Sequence, residues 1–73
     1  MYIALNKDDF FQLIDIVISK TTEIVKIGIY EDYISYIDNN LGIEYQFAGT
    51  KSELWDCALI LVSTKYSDRV ALI

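Results

Sequence analysis

The sequence predicts an α+β fold: a single small domain over residues 1–73, with one amphipathic helix packed on an antiparallel sheet in the order β-α-β-β-β-β-β. Three observations carry this reading. The chain has 73 residues, 53% of them hydrophobic and 23% charged, which is enough for one core and too short for two. Apolar residues recur with helical period early in the chain. From residue 24 the period drops to two, and short alternating runs are separated by polar turns.

Tyr2 to Leu5 reads as a short strand. Asn6 is a good helix N-cap, and Asp8 and Asp9 place negative charge in the first turn, where the helix dipole favours it. Phe10, Leu13, Ile14 and Val17 follow at i, i+3, i+4 and i+7, and Phe11 and Ile18 widen the stripe, so the helix spans Lys7 to about Lys20. Val25, Ile27 and Ile29 then alternate with Ile24, Lys26, Gly28 and Tyr30 as a strand. Glu31-Asp32 is a polar turn, and Tyr33 to Asp38 is a second strand. Asp38 to Gly42 form a turn of residues that tolerate positive φ. Ile43, Tyr45 and Phe47 alternate with Glu44, Gln46 and Ala48 in a third strand, so residues 24–48 form an antiparallel meander. The last third reads two ways. Leu54, Cys57, Ala58 and Leu61 have helical spacing with Ser52 as cap, whereas Cys57 to Val62 also suits a buried strand. The favoured version is a helical turn near Ser52–Trp55, then a strand hairpin, with a turn over Thr64–Asp68 and a last strand over Arg69–Ile73.

Composition excludes several kinds of chemistry. Six Lys and Arg face eleven Asp and Glu, a net charge of −5, and there is no His, no Pro and one Cys. A disulfide framework, a Cys/His zinc site and a nucleophile–His–acid arrangement all lack their residues. The glycines at 28, 42 and 49 do not have phosphate-loop spacing. Gly28 reads as a bulge or a close helix contact. Asp38, Asn39 and Asn40 offer oxygen ligands for a hard cation but read as a turn. A paired-carboxylate enzyme is a residual reading for so small a domain. The expectation is therefore no enzyme, no cofactor and no metal. Cys57 reads as a small buried hydrophobe, and a lone thiol suits a reducing cytoplasm. No signal peptide is apparent, and the longest apolar run, Cys57 to Val62, is far short of the ~20 residues of a membrane span. A domain this small without disulfide or metal is also expected to form a homodimer.

The charge pattern addresses partners. Lys7, Lys20, Lys26, Lys51, Lys65 and Arg69 are scattered, so direct nucleic-acid binding is disfavoured. Tyr30, Tyr33, Tyr36 and Tyr45 are interleaved with Glu31, Asp32, Asp38 and Glu44. Acids two apart on a strand lie about 6.6 Å apart, a spacing close to the phosphate repeat along one DNA strand. Such a ridge suits a basic DNA-binding groove. The candidate partner-binding residues are Glu31, Asp32, Asp38 and Glu44, with Tyr33 and Tyr36 as apolar contact area. Asp8, Asp9 and Asp15 on the helix form a second candidate face. The plainer alternative is that the acids give solubility only, while sheet edges and Val70–Ile73 pair with a second copy in a structural assembly.

Residues 1–48 resemble a half-domain of a DNA sliding clamp: strand Tyr2–Leu5, helix Lys7–Lys20, then three antiparallel strands. Tyr33-Ile34-Ser35-Tyr36-Ile37-Asp38 followed by Ile43-Glu44-Tyr45 resembles the clamp pattern of apolar strand, turn Asp and next strand. The likeness covers two-thirds of the chain. It departs in having one such half, and in setting Lys7 and Lys20 against Asp8, Asp9 and Asp15 on a helix that in clamps is basic. In size, acidity and density of Tyr and Ile, the chain also resembles small phage proteins that disable host DNA-binding proteins. These include a staphylococcal phage inhibitor that fills the DNA channel of the host sliding clamp, and a phage inhibitor of the histone-like protein HU. Usage rich in Ile, Tyr, Asn and Lys suits an AT-rich genome and favours the first. The resemblance implies a phage host-takeover protein in the bacterial cytoplasm. It would inhibit the DNA polymerase sliding clamp, or alternatively HU, as an acidic DNA mimic.

Overall fold

Asn6 starts the first helix of the computed structural model, which describes residues 1–63 and 66–73. Its side-chain oxygen accepts a hydrogen bond from the Asp9 amide at 2.8 Å, as an N-cap should. The chain runs β1 (Tyr2–Leu5), α1 (Lys7–Lys20), β2 (Val25–Ile29), β3 (Tyr33–Asp38), β4 (Ile43–Ala48), α2 (Lys51–Leu61) and β5 (Val70–Leu72). The fold is α+β, with five strands in the order β1-β4-β3-β2-β5.

The expected meander is present: β2 pairs with β3 and β3 with β4, both antiparallel. The two outer pairings differ from expectation. β1 lies parallel to β4 and β5 parallel to β2, so the sheet is mixed rather than antiparallel throughout. The cause lies in the connections. A helix between two strands carries the chain back across the sheet, so the next strand runs in the same direction. Both β1-α1-β2 and β4-α2-β5 are such crossovers. They step the same way across the sheet, so one handedness places both helices on one face.

The second crossover exists because residues 51–61 form a full helix, where a helical turn and a strand hairpin were expected. The deciding signal is a capping box whose cap lies two residues before the expected Ser52. The Thr50 hydroxyl accepts from the Glu53 amide at 3.2 Å, and the Glu53 carboxylate accepts from the Thr50 amide at 3.0 Å. The apolar run Cys57–Val62 is then the second half of a helix. Val70–Leu72 is a strand, as expected. Of the expected turn over Thr64–Asp68, Thr64 and Lys65 lie outside the described residues.

The Thr50 amide and hydroxyl, together with the more distant Lys7 charge, hold the Glu53 carboxyl below its usual range. A carboxyl lowered in the folded state adds stability above its unfolded pKa, and that stability is lost as pH falls through the lowered value. Glu53→Gln keeps the hydrogen bond but not the charge. Its melting temperature is therefore expected to lie below that of the parent near pH 7 and to converge with it near pH 3. Thermal melts at the two pH values check this, and a constant gap would contradict it.

The core lies between the helices and one face of the sheet. Phe10 and Ile14 of α1 and Leu54, Cys57 and Leu61 of α2 meet Val25, Ile27, Ile34, Phe47 and Val70 of the sheet, with Tyr66 closing one end. Leu5, Phe11, Val17, Ile18, Ile29, Tyr36 and Leu72 pack around them. The apolar stripe read on α1 thus faces inward, with Phe10 and Ile14 at its centre.

Candidate functional site

Strand alternation and the pairing register fix what the other face of the sheet presents. Tyr2 and Ala4, Glu44, Gln46 and Ala48, Tyr33, Ser35 and Ile37, Lys26 and Gly28, and Ala71 all point away from the helices. No element of the described residues covers this face. At one end of it, β2 and β3 are joined by the two-residue loop Glu31-Asp32. The Tyr30 amide donates to the Tyr33 carbonyl at 2.9 Å and closes the loop. Glu31 and Asp32 are both exposed at its tip.

Directly behind the tip, the Tyr30 and Tyr33 rings stack with centroids 4.7 Å apart and planes 19° apart. Gly28 makes this possible. A Cβ at position 28 would sit 2.7 Å from Tyr30 Cε2 and 3.2 Å from Ser35 Oγ, so only glycine leaves room for the ring. Gly28 was expected to mark a bulge or a helix contact. Its close neighbours are instead on the uncovered face, Tyr30 just past the end of its own strand and Ser35 across on β3. Partial burial, followed by the Glu44 charge and the Tyr30 hydroxyl, raises the Tyr33 phenol above its ordinary pKa. The ring therefore stays neutral at physiological pH and offers a hydroxyl donor and a π face.

The remaining candidate residues are spread over the molecule. Glu44 is on the same face as Tyr33 but lies four β4 positions from Ala48, the partner of Tyr33. That separation is about 13 Å along the strand. The Glu44 carboxylate accepts from Gln46 Nε2 at 2.9 Å. Tyr36 faces the helices and stacks on Tyr45 at 6.4 Å. Burial, then Asp38 and Tyr45, raise its pKa as well. Asp38 sits at the opposite end of β3 from the Glu31-Asp32 tip. Its Oδ1 accepts from the Asn40 and Leu41 amides at 2.9 and 3.1 Å, and Gly42 follows at φ +69°. This carboxylate holds the β3–β4 turn. Asp8, Asp9 and Asp15 lie on α1, on the helix side of the sheet, and Asp15 accepts from the Tyr66 hydroxyl at 2.8 Å. The nine residues therefore do not form one ridge. Glu31, Asp32 and Tyr33 come together, and Glu44 lies further along their face.

Tyr30 completes this group and was not among the candidates. Its signal was a tyrosine on each side of a two-residue acidic turn, with a glycine two residues before the first. Two carboxylates at a projecting tip, backed by two aromatic faces, have the chemistry to receive guanidinium or ammonium groups. The carboxylates attract the charge, and the rings accept the flat cation or its alkyl stem.

A larger concavity lies elsewhere. β2 is registered to β3 only at Gly28↔Ser35 and Ile29↔Ile34, and the strands part toward the start of β2. The gap forms a cleft of about 440 Å³ lined by residues including Thr21, Glu23, Val25, Tyr36 and Asp38. Among the described residues, no group of three or more Cys, His, Asp or Glu could hold a metal ion. Burial pushes the Cys57 thiol up to about 11, so it is protonated at neutral pH. No helix among the described residues is long and apolar enough to cross a membrane. Comparison with protein-family models, with curated proteins and with solved structures finds no match to this chain.

Proposed function

We propose that this chain is a non-enzymatic binding module that docks on a basic protein surface and blocks DNA from it. The first partner proposed is a bacterial DNA polymerase sliding clamp, and the second is the histone-like protein HU. In this reading the chain is an acidic inhibitor of the kind that phages direct against host replication. The observation that carries the proposal is the β2–β3 tip, where Glu31 and Asp32 project ahead of the stacked Tyr30–Tyr33 pair. The net charge of −5 supplies the long-range attraction to a basic groove. Glu44 extends the negative charge along the same face toward a second basic site.

Electrostatic docking of this type is fast and sensitive to salt. Titration of labelled chain into purified clamp, and separately into HU, is expected to give affinity that falls steeply with ionic strength. DNA should displace the chain from whichever protein binds it. Binding that is indifferent to salt, or no binding to either protein, would overturn the proposal.

A further inference from the structure

The outer face of α2 is apolar toward its C-terminal half, although nothing among the described residues covers it. Leu54, Cys57 and Leu61 fill the inner face. Trp55, Leu59 and Val62 lie at i, i+4 and i+7 on the outside, exposed by 67%, 50% and 50%, with Ile60 beside them. The polar residues of α2, Lys51, Ser52, Glu53 and Asp56, all lie in its first half, and a helix segment apolar on both faces, as residues 57–62 are, is normally covered on both sides. Among the described residues the second cover is missing.

We infer that the outer face of α2 binds the same face of a second copy, forming an antiparallel two-fold dimer. Three features of the molecule single out this occupant. The first is charge. Two copies that each carry −5 repel one another, and the segment from Cys57 to Ser63 carries no charged side chain at all. This is where like molecules can approach with least repulsion. The second is self-complementarity. A two-fold axis midway between Trp55 and Leu59 sets each Trp55 against the partner's Leu59, an isologous contact. Lys51 lies on the same stripe, one turn before Trp55, and the antiparallel arrangement brings it to the partner helix's C-terminal end. The last turn of α2 has no basic residue of its own, and a cation is favoured there.

The third feature is area. The exposed parts of Trp55, Leu59, Ile60 and Val62 amount to roughly 400 Å² per copy, about half of the ~800 Å² per partner of a standard interface. The flanking Lys51, Ser52, Asp56 and Ser63 enlarge this. Such an interface suits a reversible dimer rather than an obligate one. The face is on the helix layer, away from the Tyr30–Tyr33 tip, so a dimer would present two tips at once. The inference stands whether or not the binding reading above is right.

Trp55 is the only tryptophan in the chain, so its emission reports on this contact directly. Analytical ultracentrifugation and fluorescence are to be run together on the full chain, from about 1 μM to about 500 μM. The expected result is a monomer–dimer equilibrium in which emission shifts to the red as the dimer dissociates. Leu59→Glu and Val62→Glu, both at exposed positions, should weaken dimerisation about thirtyfold or more without changing the far-UV circular dichroism. A chain that stays monomeric over the whole range would overturn the inference. So would a dimer whose Trp55 emission does not change on dissociation, or one that survives both substitutions.

Discussion

Phe10→Ala is expected to lower stability by about 3–5 kcal/mol, as removal of a fully buried aromatic ring usually does. Phe10 has no exposed surface. Its ring meets Phe11 edge-on at 6.5 Å and Phe47 at 6.4 Å, so it joins α1 to β4 at the centre of the core. A 73-residue domain has roughly 4–11 kcal/mol in total. The loss is therefore a large share of the whole, and the variant should be partly unfolded at 37 °C. Urea denaturation should show the midpoint falling with little change in slope. A loss below about 1 kcal/mol would mean that the site collapses around the missing ring, and that α1 is held mainly by other contacts.

The second large effect is expected at Arg69. The helix α1 ends at Thr21 in extended backbone, without a glycine to turn its last carbonyls inward. The Arg69 guanidinium supplies what is missing: its Nη2 donates to the carbonyl oxygens of Ile18 (3.2 Å), Thr21 and Glu23 (3.4 Å). The Arg69 carbonyl accepts from the Val25 amide at 2.8 Å, so the same residue ties the start of β5 to the start of β2. Charge-assisted bonds to carbonyls contribute about 1.5–3 kcal/mol each when isolated. These three share one nitrogen, and Nε is buried with no hydrogen-bond partner among the described residues. A net loss of about 2–3 kcal/mol is therefore expected for Arg69→Ala. Arg69→Lys should recover only part of this, because the lysine ammonium sits one bond short of the Nη2 position from which all three bonds are made. Hydrogen exchange should localise the damage to the last turn of α1 and to β5. Uniform loss of protection would contradict the capping role.

The parts of this fold that were legible in the sequence are those set by local chemistry. Asn6 with Asp8 and Asp9 marks the start of α1, and Phe10, Ile14 and Val17 mark its inner face. The alternation of Val25, Ile27 and Ile29, and of Ile43, Tyr45 and Phe47, marks the meander. The α2 segment misled because it is apolar on both sides. Cys57 to Val62 has no polar residue to reveal a helical period, and the Thr50–Glu53 box was the decisive cue. The parallel β2–β5 pairing followed from that helix, and the parallel β1–β4 pairing from the α1 crossover together with a strand order that local spacing does not contain. At the candidate site, the turn Glu31-Asp32 and Tyr33 were legible from their spacing. That Asp38 spends its carboxylate on the β3–β4 turn, and that Asp8, Asp9 and Asp15 lie on the helix side of the sheet, depends on register and layer order. Local spacing does not contain that information. The Tyr30 ring over Gly28 is of the same kind, a packing fact between a strand residue and one just past the strand's end.

The binding claim is tested most directly by the double charge reversal Glu31→Lys with Asp32→Lys. Both residues are exposed, so the fold should survive, and far-UV circular dichroism checks that it does. Competition against duplex DNA on purified sliding clamp and on HU then gives the answer. If the tip is the contact, the parent chain displaces DNA from one of the two proteins and the reversed chain is weaker by about a hundredfold or more. A reversed chain that competes as well as the parent, or a partner that holds DNA and chain together, would contradict a contact through the β2–β3 tip.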